Sequence, residues 1–252
     1  MKSYVTYKFT ENKYSVITLN RPEKKNAISL EMVEQLNAAL TRAKKDKGNF
    51  LVLNSKGNVF CAGGDLKDFH GNLEVEQIRK QLSMMKDVLT EFVSFPVPTI
   101  CLLSGDAYGG GCELASACDI RIAKEESKFG FVQSNLGILP GWGGGSLLYE
   151  RIDSSFAMRW IMEGKVFSAP YLEKKAWIHK VIHKSDWDEE LILRPYINKT
   201  RVQMEFIKLQ YNEYISTFTL FKNMTNEVNR CSTLWGSKRH KEAIHKALHK
   251  NK

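Results

Sequence analysis

The chain has 252 residues, 43% of them hydrophobic, and a formal net charge of +9. That length and composition suit one substantial core with a small appended region; no run of eighteen or more apolar residues offers a membrane span, and the opening MKSYVTYKFTENKY lacks the apolar stretch of a secretory signal, so a cytoplasmic globular protein is expected. The five cysteines (Cys61, Cys101, Cys112, Cys118 and Cys231) are odd in number and lack CxxC spacing, which argues against a disulfide framework or a zinc site and for reduced, buried thiols.

Three short aliphatic and β-branched runs, YSVITLN (14–20), FLVLNS (50–55) and PTICLLSG (98–105), end in turn residues and read as buried strands. Between the first two, SLEMVEQLNAALTRAKKD opens on Ser29 as a helix N-cap. It carries Leu30, Met32, Val33, Leu36 and Leu40 on one face and ends in lysines that complement a helix C-terminus. A second helix is expected over about residues 75–94. The alternation predicts an α/β layered core over residues 1–195. Residues 196–252 carry no clear strand and much of the excess positive charge, and read as a helical C-terminal region.

Two glycine clusters follow strands. VFCAGGDLKDF (59–69) comes after the second run, and GDAYGGGCELASACDI (105–120) after the third. A strand, a glycine turn and a helix leave the first backbone N–H groups of the helix without internal partners and without side-chain cover. Neither cluster is a phosphate-cradling GxxxxGK[ST] or GxGxxG loop. Two such turns facing each other would instead aim a pair of donors, at Gly64 and Gly110, at one carbonyl oxygen, an arrangement worth about 3–4 kcal/mol per donor to a developing oxyanion.

Taken with ITLNRPEKKNAIS near the start and FGFVQSNLGILPGWGGGSLL (129–148), these motifs closely resemble the crotonase (enoyl-CoA hydratase/isomerase) superfamily, in order and at family spacing from about residue 5 onward. The resemblance implies a spiral of ββα units, a C-terminal helical segment that assembles trimers or dimers of trimers, and an acyl-CoA thioester as substrate. No metal or redox cofactor is implied beyond the coenzyme A of the thioester. By position, Gly64 and Gly110 match the oxyanion hole and Glu113 matches one of two catalytic glutamates. Ala62, Leu66, Lys24, Lys25, Gly141 and Trp142 are the candidate substrate-binding residues, the two lysines for coenzyme A phosphates and Leu66, with Phe69 and apolar residues near 74–95, for the acyl pocket. Trp142 reads equally as a packing residue, and Asp65 as a shaper of the first glycine turn.

The second family glutamate falls on Gln133, and an amide neither takes up nor delivers a proton near neutral pH. Hydration, which uses one carboxylate as base and one as acid, is thereby disfavoured, and isomerisation becomes harder. Decarboxylation of a 2-alkylmalonyl thioester needs no base, and Gln133 can donate a hydrogen bond to the departing carboxylate. Glu113 would then orient the group or supply the proton. FVQSNLGILPGWGG and the later TLWGS, with Trp142, Trp235 and Gly236, resemble the branch containing ethylmalonyl-CoA decarboxylase. Hydration or isomerisation of an enoyl-CoA is the alternative, with Asp68, Glu150 or Glu163 as stand-ins for the missing acid.

The +9 charge raises nucleic-acid binding as a rival, but the basic residues are dispersed rather than set among stacking aromatics, so it ranks low. A non-catalytic acyl-CoA binder is a further reading. The run Lys238, Arg239, Lys241, Lys246, Lys250 and Lys252 reads either as a contact for the coenzyme A 3′-phosphate, in its own or a neighbouring subunit, or as a solvated helix face, the second favoured for most of them. The pairs His179/His183 and His245/His249, four residues apart, read as exposed histidines on helices rather than a metal site.

Overall fold

The computed structural model describes residues 2–65, 68 and 73–249, with side chains to residue 246. The ten strands among the described residues form two sheets. β1 (Val5–Phe9), β2 (Ser15–Leu19), β3 (Leu51–Ser55), β5 (Thr99–Leu103), β7 (Ile120–Lys124) and β10 (Lys180–Ile182) make a six-stranded sheet in that order. β4 (Val59–Cys61), β6 (Asp106–Tyr108), β8 (Lys128–Gly130) and β9 (Val166–Ser168) make a four-stranded one. β1 is antiparallel to β2 and β9 to β8, and all other pairs are parallel. Each successive unit, β3 then β4, β5 then β6, β7 then β8, therefore places one strand in the large sheet and the next in the small one. This is the expected spiral.

The strand runs read from sequence sit where β2, β3 and β5 lie. β5 is buried at all five positions, as a strand covered on both faces of a parallel sheet should be. Helix α1 (Leu30–Asp46) starts at Ser29, whose hydroxyl accepts from Met32 N at 3.3 Å, and stops where Lys47 turns left-handed at φ 53°. Met32, Val33, Leu36 and Leu40 are buried, each burial worth about 1.5–3 kcal/mol against exposure. Helix α2 (Val75–Val93) opens on a capping box in which Gln77 reaches back to Glu74 N, and buries Ile78, Leu82, Met85, Leu89 and Phe92.

The later helices are α3 (Gly110–Ala117), α4 (Gly144–Arg151), α5 (Ser154–Glu163), α6 (Ala169–Glu173), α7 (Glu189–Ile197), α8 (Arg201–Tyr214), α9 (Thr217–Leu234) and α10 (Lys238–His249). The described residues beyond 200 thus lie in helices and the turns that join them, as expected, and they pack on the α/β layers. α9 lies against α2 and α4. α8 is pinned by Lys208, whose Nζ donates to both oxygens of Asp119 at 2.6 and 2.7 Å, while Thr99 supplies two more donors to the same carboxylate.

One expectation holds here and one changes. All five cysteines are buried and free, in keeping with the sequence, but His179 and His183 do not share a helix. They flank strand β10, where His179 Nδ1 accepts from Arg121 N at 3.1 Å and His183 caps a short 3₁₀ turn. The β-branched VI between them sets a two-residue period, which overrides the four-residue spacing.

Candidate active site

Because β4, β6 and β8 are parallel neighbours, their C-terminal ends lie side by side, and three segments distant in sequence converge. β4 runs into Ala62-Gly63-Gly64, β6 into Gly109 and helix α3, and β8 into a 3₁₀ turn over Gln133–Leu136. Gly109 N donates to Gly130 O at 2.8 Å, with the glycine at φ 52°, ψ −118°, a conformation open only to a residue without Cβ. A Cβ on Gly63 would stand 3.4 Å from Gly110 N, so the two glycine turns are in direct contact.

Ile28 bridges Gly64 in parallel fashion, accepting from Asp65 N and donating to Gly63 O, each at 2.8 Å. That pairing turns the Gly64 amide to the opposite side. Gly110 opens α3, where an N–H has no partner one turn back. Among the described residues neither amide has a hydrogen-bond partner. Both glycines line a cleft of about 100 Å³, together with Ala62, Glu113, Gln133, Gly141, Trp142 and the apolar Leu82, Ile138 and Trp235.

Glu113 sits one turn into α3 and is 2% exposed. Its Oε2 accepts from Trp142 N at 2.8 Å and Gly144 N at 2.9 Å; its Oε1 accepts from Gln133 Nε2 at 2.9 Å and Gly141 N at 3.3 Å. A carboxylate has about four acceptor sites, and here all are filled. Gly144 has to be glycine for this clamp, since a Cβ there would lie 2.3 Å from Glu113 Cβ. Burial pushes the Glu113 carboxyl above its ordinary pKa, and the four donors pull the other way.

Gln133 is 6% exposed and joins Glu113 through one N–H. Among the described residues its carbonyl oxygen is buried without a partner, a costly state unless something in the cleft donates to it.

One residue of the site went unread in the sequence. Glu227 of α9 accepts from Gly143 N (3.0 Å), Gly145 N (3.1 Å), Ser146 N (2.6 Å) and Ser146 Oγ (2.8 Å). The turn from Gly141 to Ser146 is therefore held between two carboxylates, Glu113 on the cleft side and Glu227 on the other. Burial, and then the charge on Glu113, push Glu227 up to about 8. A lone glutamate in an amphipathic helix carries no signal of this; the run of amides in GWGGGS, which need acceptors, was the available hint.

The remaining sequence candidates divide. Ala62 lines the cleft, with its amide spent on Lys25 O at 3.0 Å. Lys24 and Lys25 are exposed and do not line it. Asp65 is structural, pairing with Arg21 at 2.6 Å and tying the N-terminal loop to the first glycine turn. Leu66 and Phe69 lie outside the described residues. None of the proposed stand-in acids is in the cleft. Asp68 accepts from Leu30 N at the start of α1, Glu163 pairs with Lys165 on the surface, and Glu150 lies in a groove behind the turn. Lys238, Arg239 and Lys246 are exposed on α10 and line a groove that shares Leu136 with the cleft.

The class of protein is defined by a two-sheet spiral whose strand ends bring two glycine turns together over a buried glutamate. The chain belongs to the enoyl-CoA hydratase/isomerase family, whose model matches residues 10–252. It is 31% identical over 206 residues to mouse (Mus musculus) mitochondrial methylglutaconyl-CoA hydratase, covering 79% of this chain and 65% of that one. It is 38% identical over 151 residues to mouse ethylmalonyl-CoA decarboxylase, covering 59% of this chain and 47% of that one. The aligned regions thus span less than two thirds of either relative. Among solved structures, an enoyl-CoA hydratase from Bacillus halodurans superposes with a TM-score of 0.88 at 25% identity, over 97% of this chain and 100% of that one.

Proposed function

We propose that this chain decarboxylates a short 2-alkylmalonyl-CoA thioester. The observation that carries the reading is the state of the two side chains beneath the glycines. Glu113 has no acceptor site left with which to activate water, and the partner position holds Gln133, an amide. Hydration needs a base and an acid there, whereas decarboxylation needs neither to break the bond. The C–C bond to the carboxylate breaks, its electron pair forms the thioester enolate, and CO2 leaves. The enolate oxygen takes hydrogen bonds from Gly64 and Gly110 N–H, worth about 3–4 kcal/mol each.

Gln133 keeps one N–H for the departing carboxylate, and its carbonyl, without a partner among the described residues, accepts one hydrogen bond from the water whose other proton replaces CO2 at the α-carbon, the hydroxide left behind combining with the CO2 as bicarbonate. Coenzyme A enters only as part of the thioester, and no metal or other cofactor is required. The basic groove of about 780 Å³ beside Leu136 suits the nucleotide phosphates, which supports Lys238, Arg239 and Lys246 over the exposed Lys24 and Lys25 for that contact.

The test is turnover of ethylmalonyl-CoA, methylmalonyl-CoA and crotonyl-CoA, followed by mass. Loss of CO2 from a malonyl-type substrate is expected. Addition of water to crotonyl-CoA without CO2 release would overturn the reading in favour of hydration, the activity named for the mouse methylglutaconyl-CoA relative. Assembly as a trimer is proposed through the apolar surface of α5 and α8, where Met162, Val202, Phe206 and Ile207 are more than half exposed; a monomeric mass by light scattering would refute it.

A further inference from the structure

The apolar wall of the cleft carries an inference of its own, which rests on the acyl-CoA reading. A Cβ built on Gly110 would fall 2.2, 2.3 and 2.8 Å from three carbons of the six-membered ring of Trp142. The indole therefore lies flat against the Cα of a residue whose amide faces the thioester oxygen. It is 4% exposed, and its backbone is fixed by the 2.8 Å bond from its own N–H to Glu113. The ring is thus held from both ends. Leu82, Ile138 and Trp235 complete the apolar lining of a space of only about 100 Å³.

A carbonyl oxygen polarised by both amides brings its α-carbon within a bond or two of Gly110, so a substituent on that carbon meets the ring at once. We propose that Trp142 is the residue that sets acyl size, its indole ending the pocket just beyond the α-carbon so that short acyl groups bind and long straight chains do not. A hydrophobic wall of this kind discriminates strongly by length, because an extra methylene has nowhere to go and a missing one leaves contacts unmade.

The experiment is calorimetric titration of butyryl-CoA and octanoyl-CoA, both saturated and without a carboxylate to lose, into wild type, Trp142→Ala and Trp142→Phe. Wild type is expected to prefer butyryl-CoA by about ten-fold or more; Trp142→Ala should bring the preference to near parity, with Trp142→Phe between them. An unchanged preference in a folded variant would overturn the assignment while leaving the acyl-CoA reading intact. Trp142→Phe preserves an aromatic filler, so it decides the matter if the alanine variant does not fold. Failure of wild type to bind either thioester would overturn the acyl-CoA reading, and the assignment with it.

Discussion

Replacing Gln133 by glutamate restores the two-carboxylate arrangement that the sequence lacks, and its consequences can be worked out from one distance. Gln133 Nε2 stands 2.9 Å from Glu113 Oε1, so Gln133→Glu brings a second carboxylate to the first with little room to retreat. At a relaxed separation of about 4 Å and an effective dielectric near 20, two negative charges repel by about 4 kcal/mol. That corresponds to about three pKa units, so the pair shares one proton that leaves only well above the ordinary carboxylate range. In the unfolded chain both groups ionise normally, so native Gln133→Glu binds more protons than its unfolded state over that interval, and its stability falls as pH rises. The variant should melt near wild type at pH 5 and lose about 8–16 °C relative to it by pH 9, taking about 2–4 °C per kcal/mol for a chain of this size. Decarboxylation should drop, since the new charge repels the departing carboxylate, and hydration of crotonyl-CoA should appear at pH values where one proton remains. Differential scanning calorimetry across pH, with product masses, reads all three. A pH-independent melting difference together with an undiminished decarboxylation rate would refute the assignment of position 133.

Two further outcomes are expected. Glu227, pushed up to about 8 from 4.5, makes wild-type stability fall as pH rises from about 4.5 through 8, because the folded carboxyl retains a proton that the unfolded one has released. Glu227→Gln removes that slope, so its melting temperature should gain on wild type between pH 5 and pH 8.5, and a constant difference would contradict the assignment. Lys208→Met leaves Asp119 buried with fewer donors; urea denaturation should register a loss of about 3–5 kcal/mol, and a loss under 1 kcal/mol would mean that Arg151, 3.5 Å from the same carboxylate, suffices.

The legible parts of the molecule are those in which local chemistry and tertiary packing agree. Ser29 announces α1 because its hydroxyl has one good use there, and the β5 run reads as a buried strand because every residue in it is buried. The two glycine turns were visible in the sequence, but their meeting depends on β4 and β6 being neighbours, which no spacing encodes and only the family resemblance supplied. Glu113 was found by the same motif, though its fully occupied carboxylate is a tertiary fact that depends on a turn about thirty residues further on. Glu227 lay beyond reach because its partners are 81–84 residues away and its local sequence looks like any solvated helix. His179 and His183 show the reverse error, in which a spacing suggested a helix that the intervening residues do not form.

The contacts of Glu227 also impose an order in time. As the chain is synthesised from its N-terminus, the glycine turn at 141–146 emerges long before the helix that supplies the second carboxylate, and until α9 docks, three backbone amides and a serine hydroxyl there have only water as acceptor. The strands can pair and the glycine turns can meet beforehand, but the clamp on that turn closes last. Recovery of Trp142 burial during refolding should therefore lag behind formation of the sheets, so that the chain acquires its architecture before its competence.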